Sequence, residues 1–307
     1  MSRRGLLLFA AMCVIWGIPY LLIRVAVGEL TPAVLVFLRT GLAALILLPI
    51  AFTRGGLGVI GNRWPWLLLF AAVEVAIPWF MLSSAEQHIT SALAGLLISA
   101  VPLVSLVIAL VFGNRQQMGR VNLTGLLLGL VGVALIVGFD LRASDWTALA
   151  EMAVVVVGYS LGPAVLSRYL TSIPSVTVNG VALALCFIAY APVAALQWPQ
   201  AALSLPVIGA VAVLAVVCTA IAFLLFFALI AEVGPVRATV ITYVNPAVAA
   251  VLGVGVLHES LTLGMLAGFA LVLAGSGLAT RRPARPPEGR MIPVPDDPGR
   301  VGEGVPR

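Results

Sequence analysis

The sequence contains no lysine, so all 17 basic residues among its 307 are arginine. A phosphate-binding loop of the GxxxxGK[ST] type needs a lysine, and its absence excludes a P-loop ATPase. A retinal or other Schiff base is excluded for the same reason. Histidine occurs only as His88 and His258, and neither they nor the three cysteines show metal-ligand spacing. We therefore predict neither a metal site nor a cofactor.

Charge of either sign is also scarce. Charged residues make up 9% of the chain and hydrophobic residues 62%, with a mean hydropathy of +1.14; an ordinary soluble domain carries about 25% charged residues. A membrane span takes ~20 apolar residues, because ~30 Å of hydrocarbon is crossed at ~1.5 Å per residue. The composition predicts an integral membrane protein whose partner is the lipid bilayer, and nothing in it indicates nucleic acid binding.

Ten apolar segments are predicted to be transmembrane helices, which gives an all-α membrane fold. They lie at 5–26, 32–53, 65–83, 89–113, 121–138, 147–167, 175–197, 204–230, 236–257 and 261–280. The positive-inside rule places both termini in the cytoplasm, because most arginines near the segment ends then fall on the inner side. The tail at 283–307 is rich in proline, glycine and charge, and this composition predicts disorder.

The first half of the chain recurs in the second half at an offset of about 144 residues. The clearest pairs are Pro19 and Pro163, Arg24 and Arg168, and Pro102 and Pro246. We predict two five-helix repeats, at 1–140 and 141–282. Because five is odd, the second copy enters the membrane from the opposite side. Two inverted copies can rock about a shared site at the midplane, which gives alternating access.

Several motifs resemble the EamA-type repeat of the drug/metabolite transporter superfamily. They are Trp16-Gly17-Ile18-Pro19-Tyr20 through Arg24, Thr31-Pro32 through Leu38-Arg39, the glycine-spaced stretch from Gly125 to Gly132, Asn245-Pro246, and Glu259 through Gly268 to Gly275. The resemblance implies a secondary transporter of a bacterial inner membrane, often an exporter of amino acids or drugs, that works without ATP. Leu183 replaces Arg39 in the second copy, so any role of Arg39 is confined to the first copy.

Glu74 lies midway along the third segment. An ionisable group is costly there, so we expect it to face protein or water. Burial would favour its protonated form, and Glu74 is our candidate proton carrier. The alternative is a structural role in which its carboxyl ties helices together.

Arg39 lies about two turns into the second segment, and three roles are open for it. It would bind a substrate carboxylate through both Nη groups, snorkel to the outer headgroups, or pair with a glutamate. Aromatic walls with a few polar tips suit small organic ligands. The side chains considered as walls of a central cavity are Trp16, Tyr20, Trp79, Tyr159 and Tyr243.

Two further polar side chains, Ser99 and Asn245, complete the predicted substrate site. Prolines in spans free backbone carbonyls and permit hinging, and we predict hinges at Pro19, Pro102, Pro163 and Pro246. Against both predictions stands the fact that hydroxyl residues and proline are ordinary in packed membrane helices.

The glycines of the fifth and tenth segments predict close packing, either of these two segments on each other or on a second subunit of a homo-oligomer. Two other functions are considered. A lipid or lipid-linked-sugar flippase needs a cavity open to the bilayer. A membrane-embedded enzyme needs a cluster of nucleophile, base or metal ligands, which the sequence does not show.

Overall fold

The computed structural model describes residues 2–53, 57–111, 120–138, 146–238 and 240–280. The predicted disordered tail lies outside these residues, and so do several of the loop arginines used for the orientation. The described part is helical and contains no strand.

Fifteen α-helices are present in the described part of the chain. They are α1 (Arg3–Ile15), α2 (Pro19–Ala26), α3 (Pro32–Thr53), α4 (Trp64–Phe70), α5 (Ile77–Ala85), α6 (Ser91–Ile98), α7 (Val101–Val111), α8 (Arg120–Gly138), α9 (Trp146–Tyr169), α10 (Ser175–Leu196), α11 (Leu205–Ala215), α12 (Ala222–Val233), α13 (Pro235–Ala238), α14 (Ile241–Leu257) and α15 (Leu263–Ala279). A 3₁₀ helix at Leu57–Arg63 precedes α4, and π-helices at Ala71–Ala76 and Val216–Ile221 join α4 to α5 and α11 to α12.

All ten predicted segments contain helix, and eight helical runs in the described residues are long and apolar enough to cross a membrane. The other two, α14 and α15, have 17 residues each. The ninth segment is shorter than predicted because α14 begins at Ile241, after the separate turn of α13. Large apolar side chains such as Leu196 and Val251 are 89% and 70% exposed, as expected for a surface that faces lipid.

Two of the four predicted hinge prolines follow a break in a helix. The first run is interrupted at 16–18, directly before Pro19, and the fourth at 99–100, before Pro102. Proline has no N–H and its ring clashes with the preceding turn, which explains both breaks. Pro163 and Pro246, by contrast, lie inside the uninterrupted helices α9 and α14.

Helices at equivalent positions of the two halves lie against each other. The second helices α3 and α10 pack together, as do the fourth, α6 and α14, and the fifth, α8 and α15. First and third helices cross over, since α2 packs on α11 and α5 on α9. The centre of the molecule is therefore built from both halves.

Glycine brings α8 and α15 into backbone contact. A Cβ atom on Gly132 would lie 2.6 Å from the carbonyl oxygen of Gly268, and one on Gly275 would lie 2.6 Å from that of Gly125. The sequence left two partners open for the glycine surfaces. The described structure shows one of them, since the fifth and tenth segments pack on each other.

Candidate functional site

The candidate site is centred on Arg39, about two helical turns from the start of α3. The residue is 7% exposed. Its guanidinium carbon lies 3.6 Å from the ring centroid of Trp79, within cation–π range. Its Nε donates to Thr219 Oγ1 at 3.0 Å. Stacking and hydrogen bond together fix the plane of the guanidinium.

The Nη groups of Arg39 have no hydrogen-bond or carboxylate partner among the described residues. Of the three roles open from the sequence, pairing with a described glutamate is therefore not seen, and burial argues against snorkelling. A buried cation without a counter-charge is costly. The arrangement leaves a positive, hydrogen-bonding edge available to an anionic group.

Thr219 belongs to the π-helix at Val216–Ile221, and the local geometry explains its position. Its hydroxyl donates to the carbonyl oxygen of Leu214 at 2.8 Å, five residues earlier. The same oxygen accepts from Arg39, so one hydroxyl both completes the π-turn and orients the guanidinium. The sequence analysis missed Thr219, because a threonine in an apolar helix carries no signal of this role.

Two tyrosines line the surroundings of Arg39. Tyr20 is 6% exposed on α2, and both Tyr20 and Tyr159 of α9 lie within electrostatic range of the guanidinium. The indole N–H of Trp79 approaches the Tyr159 hydroxyl. The predicted residues Tyr20, Arg39 and Trp79 are thus brought together, with Tyr159 closing the side formed by α9.

Glu74 lies in the π-helix at Ala71–Ala76, and its carboxyl is directed at α9. Oε2 is buried without a hydrogen-bond partner among the described residues. It rests against Gly162, where a side chain larger than hydrogen would collide with it. Since Tyr159, but not Arg39, lies within electrostatic range of Glu74, Glu74 is set apart from the guanidinium.

Both π-helices pack on neighbouring helices, the one at Ala71–Ala76 on α10 and the one at Val216–Ile221 on α3. From α10, the Tyr190 hydroxyl donates to the Ala76 carbonyl at 3.0 Å, and Cys186 Sγ lies 3.6 Å from the Ala71 carbonyl. A π-helix leaves its carbonyls poorly paired, and such turns are frequent at functional sites. The two occupy equivalent places in the two halves and contribute Glu74 and Thr219.

The other predicted site residues make their contacts elsewhere. Trp16 packs on Phe226 of α12, with ring centroids 4.7 Å apart. The amide nitrogen of Asn245, oriented toward its acceptors, donates to the Cys13 carbonyl at 3.1 Å, beside the break in the first run. Ser99 donates to its own helix at Leu96. Tyr243 is part-buried on α14.

A second polar cluster lies at the end of the bundle where α2 and α5 finish and α6 begins; we call it the glutamate end. Glu259 accepts from the backbone N–H groups of Ser91 and Ala92, both at 2.9 Å, and from Ser91 Oγ at 3.0 Å. Arg24 donates through Nη1 to the backbone carbonyl of Glu86. Contacts across the chain create this cluster, so sequence spacing gave no sign of it.

Among the described residues, no group of three or more His, Cys, Asp or Glu side chains is arranged to hold a metal ion. The described glutamates are instead dispersed, and Glu232, which accepts from Ser2, lies at the opposite end of the bundle from the glutamate end.

Comparison with known proteins agrees with the fold. The EamA-like transporter family matches residues 3–138 and 146–281. The inner membrane transporter YedA of Escherichia coli K12, named as uncharacterized, is 28% identical over 284 residues, covering 87% of this chain and 89% of YedA. The uncharacterized transporter YvbV of Bacillus subtilis is 24% identical over 281 residues, covering 89% and 90%.

A protein of known crystal structure superposes with a TM-score of 0.65 at 21% sequence identity. The match covers 91% of this chain and 97% of that chain. It supports the fold alone.

Proposed function

This chain belongs to the EamA-like transporter family, and on that premise we propose that it is a secondary-active carrier that exports small metabolites such as amino acids by alternating access. The observation that carries the proposal is Arg39. It is a buried guanidinium, oriented by Trp79 and Thr219, whose Nη groups meet no carboxylate among the described residues. A carboxylate substrate would supply the missing counter-charge.

The packing of the two halves supports alternating access. Equivalent helices pair around the centre, as expected if ten spans form two inverted repeats at 1–140 and 141–282 that rock against each other. The helix breaks before Pro19 and Pro102 are the proposed hinges, since chain direction changes most easily where the helical hydrogen bonds are already interrupted. Pro163 and Pro246 have less support as hinges, because their helices are continuous.

The proposed setting is a bacterial inner membrane with both termini in the cytoplasm. YedA is named as an inner membrane protein, and the apolar helical runs fit a multi-pass topology. With this orientation, the glutamate end faces outward. The arginines near the segment ends support it through the positive-inside rule.

Protons are the proposed coupling ion, with Glu74 as a carrier. A buried carboxyl group that accepts no hydrogen bond is more stable when it is protonated. Oε2 of Glu74 is buried and accepts no hydrogen bond from the described residues. Gly162 leaves just enough space for the carboxyl. A rearrangement of the α5–α9 contact during transport would change its access to water.

The test is uptake of labelled amino acids into proteoliposomes of the purified protein, with and without an imposed pH gradient. Saturable, gradient-dependent accumulation is expected. Arg39→Gln should raise the KM at least tenfold, the effect of losing a hydrogen bond between charged groups. Arg39→Lys should recover only part of it, because a lysine lacks the planar fork.

Arg237→Gln is the matched control, because Arg237 is an exposed arginine at the other end of the bundle, and its kinetics should stay at the wild-type level. If a broad panel of amino acids gives no flux with folded protein, the proposed function is wrong. If Arg39→Gln transports with an unchanged KM, the placement of the substrate at Arg39 is wrong.

A further inference from the structure

Glu86 is the most completely buried acid in the described structure. It directly follows Ala85, the last residue of α5, and its exposed fraction is 0%. Neither carboxyl oxygen has a hydrogen-bond partner among the described residues. The backbone N–H of Arg24 approaches the carboxyl, but it belongs to the ladder of α2. A fully buried carboxyl whose oxygens are left unpaired is rare and calls for an explanation, such as a binding role.

The charged groups around Glu86 do not offset the cost of burying its carboxyl. Arg24 and Arg39 act on it favourably and Glu259 unfavourably, while Tyr20 and Tyr159 lie within its electrostatic range. Arg24 directs its Nη1 to the Glu86 backbone carbonyl and makes no ion pair with a described carboxylate.

Glu259 is less suited than Glu86 to bind a cation. Its oxygens already accept three hydrogen bonds at the start of α6, from Ser91 and Ala92. Glu74 is no better placed, because Glu86 and not Glu74 acts electrostatically on Arg39. Glu86 is therefore the acid that shares surroundings with the guanidinium.

Along the helix, Glu86 lies at a level that suits a short molecule with two charges bound between it and Arg39. Arg39 stacks on Trp79, and seven residues of helix from Trp79 to Glu86 rise about 10 Å. The ammonium and carboxylate of an α-amino acid are ~3 Å apart. A hydrogen bond of ~2.9 Å at each end extends the span to about 9 Å.

We propose that Glu86 is the ammonium-binding residue of the central site, opposite Arg39, and that the substrate's ammonium replaces the proton on Glu86. The inference rests on the proposed transport function and deepens it. Arg39 binds the carboxylate of the zwitterion and Glu86 binds its ammonium, and Tyr20 of α2 lies within electrostatic range of both residues. The substrate class is then a primary amine that also carries a carboxylate.

The proton exchange follows from burial. Glu86 lies just beyond the helical run Leu57–Ala85, and burial raises its pKa well above that of an ordinary glutamate, more than the nearby arginines lower it. Burial therefore favours the neutral carboxyl in the empty protein. An ammonium within hydrogen-bond distance favours the ionised form, so the proton leaves to water as the substrate enters.

The experiment compares three forms of one molecule. Leucine, its amine analogue isopentylamine and its acid analogue 4-methylpentanoate are tested as stabilising ligands in thermal unfolding of the purified protein. The amino acid that gives the strongest flux in proteoliposomes, if different, is tested with its own two analogues. Each is also tested as a competitor of that flux.

In the wild-type protein the zwitterion should bind at least tenfold more tightly than either analogue. Glu86→Gln should weaken the zwitterion and the amine about tenfold or more and leave the acid unchanged. Arg39→Gln should weaken the zwitterion and the acid and leave the amine unchanged. Glu86→Asp, which keeps the charge, should retain part of the preference if Glu86→Gln fails to fold.

Glu151→Gln is the control. Glu151 of α9 accepts from Ser84 through Oε1 at 2.7 Å, and its Oε2 is buried without a partner among the described residues, as in Glu86. It does not act electrostatically on Arg39, so its ligand preferences should match the wild type. An unchanged preference for the zwitterion in both Glu86 variants overturns the assignment while leaving transport intact. Absence of flux and of binding for every compound overturns the transport function as well, so the two failures are distinguishable.

Discussion

Replacing Glu259 should loosen the contact that joins the two halves at the glutamate end. The carboxylate accepts from the first two N–H groups of α6, those of Ser91 and Ala92, and from the Ser91 hydroxyl. Thr90 accepts from the third, the N–H of Leu93, at 3.2 Å. All the early donors of α6 are thereby satisfied, two of them by a residue that follows α14.

The magnitude follows from those bonds. A hydrogen bond to a charged group contributes about 1.5–3 kcal/mol, and a negative charge at a helix start adds about 0.3–1 kcal/mol. Glu259 is only part-buried, so water will replace some of what is lost. We expect Glu259→Ala to destabilise the protein by about 2–4 kcal/mol and Glu259→Gln, which retains one acceptor oxygen, by about half as much.

The assay is thermal unfolding in detergent together with hydrogen exchange at α6. A loss of this size should lower the midpoint by on the order of 5–10 °C and should accelerate exchange at Ser91 and Ala92. Glu29→Ala is the control, because its carboxylate accepts from the Ser204 N–H at an exposed surface, and little change is expected. Wild-type exchange rates at Ser91 and Ala92 in Glu259→Ala would refute the reasoning.

Three further predictions concern packing and protons. Gly132→Leu should disrupt the α8–α15 contact, because its Cβ would meet the backbone of Gly268. Gly277→Leu, whose side chain enters open space, should be tolerated. The two variants are compared by the yield of monodisperse protein. Glu74→Gln should abolish the dependence of flux on an imposed pH gradient, and retained dependence in vesicles would contradict the proton role. In weak buffer, between the ordinary and the raised pKa of Glu86, substrate binding should release up to one proton; release should vanish at pH values above the raised pKa and in Glu86→Gln.

The helical segments could be predicted because hydropathy and length govern membrane spans. The prediction at 32–53 coincides with α3, and the family resemblance is confirmed. Interruptions within helices were harder to predict. Proline signals the breaks before Pro19 and Pro102, yet the same residue is accommodated within α9 and α14. The π-helix at Val216–Ile221 is composed of ordinary apolar residues and threonine, so composition does not distinguish it from α-helix.

The residues of the site likewise divide into those that the sequence reveals and those that it does not. A single arginine in an apolar segment is conspicuous because its charge is costly there, and Arg39 was found for that reason. Thr219 and Glu86 acquire their roles from contacts made across the chain: Thr219 through the π-turn, and Glu86 because α2 and α5 end together. In sequence, Glu86 is a charge at the edge of a short loop, where a solvated side chain is the ordinary expectation.

The unequal contributions of the two halves bear on how the site could work. The first half supplies Arg39, where the second has Leu183, and it also supplies Glu86; the second half orients the guanidinium through Thr219. A relative movement of the halves would therefore alter the Arg39–Thr219 bond directly, and Thr219→Val should weaken carboxylate binding without removing the charge. Retention of wild-type affinity for 4-methylpentanoate in Thr219→Val would show that Trp79 alone is sufficient to orient Arg39.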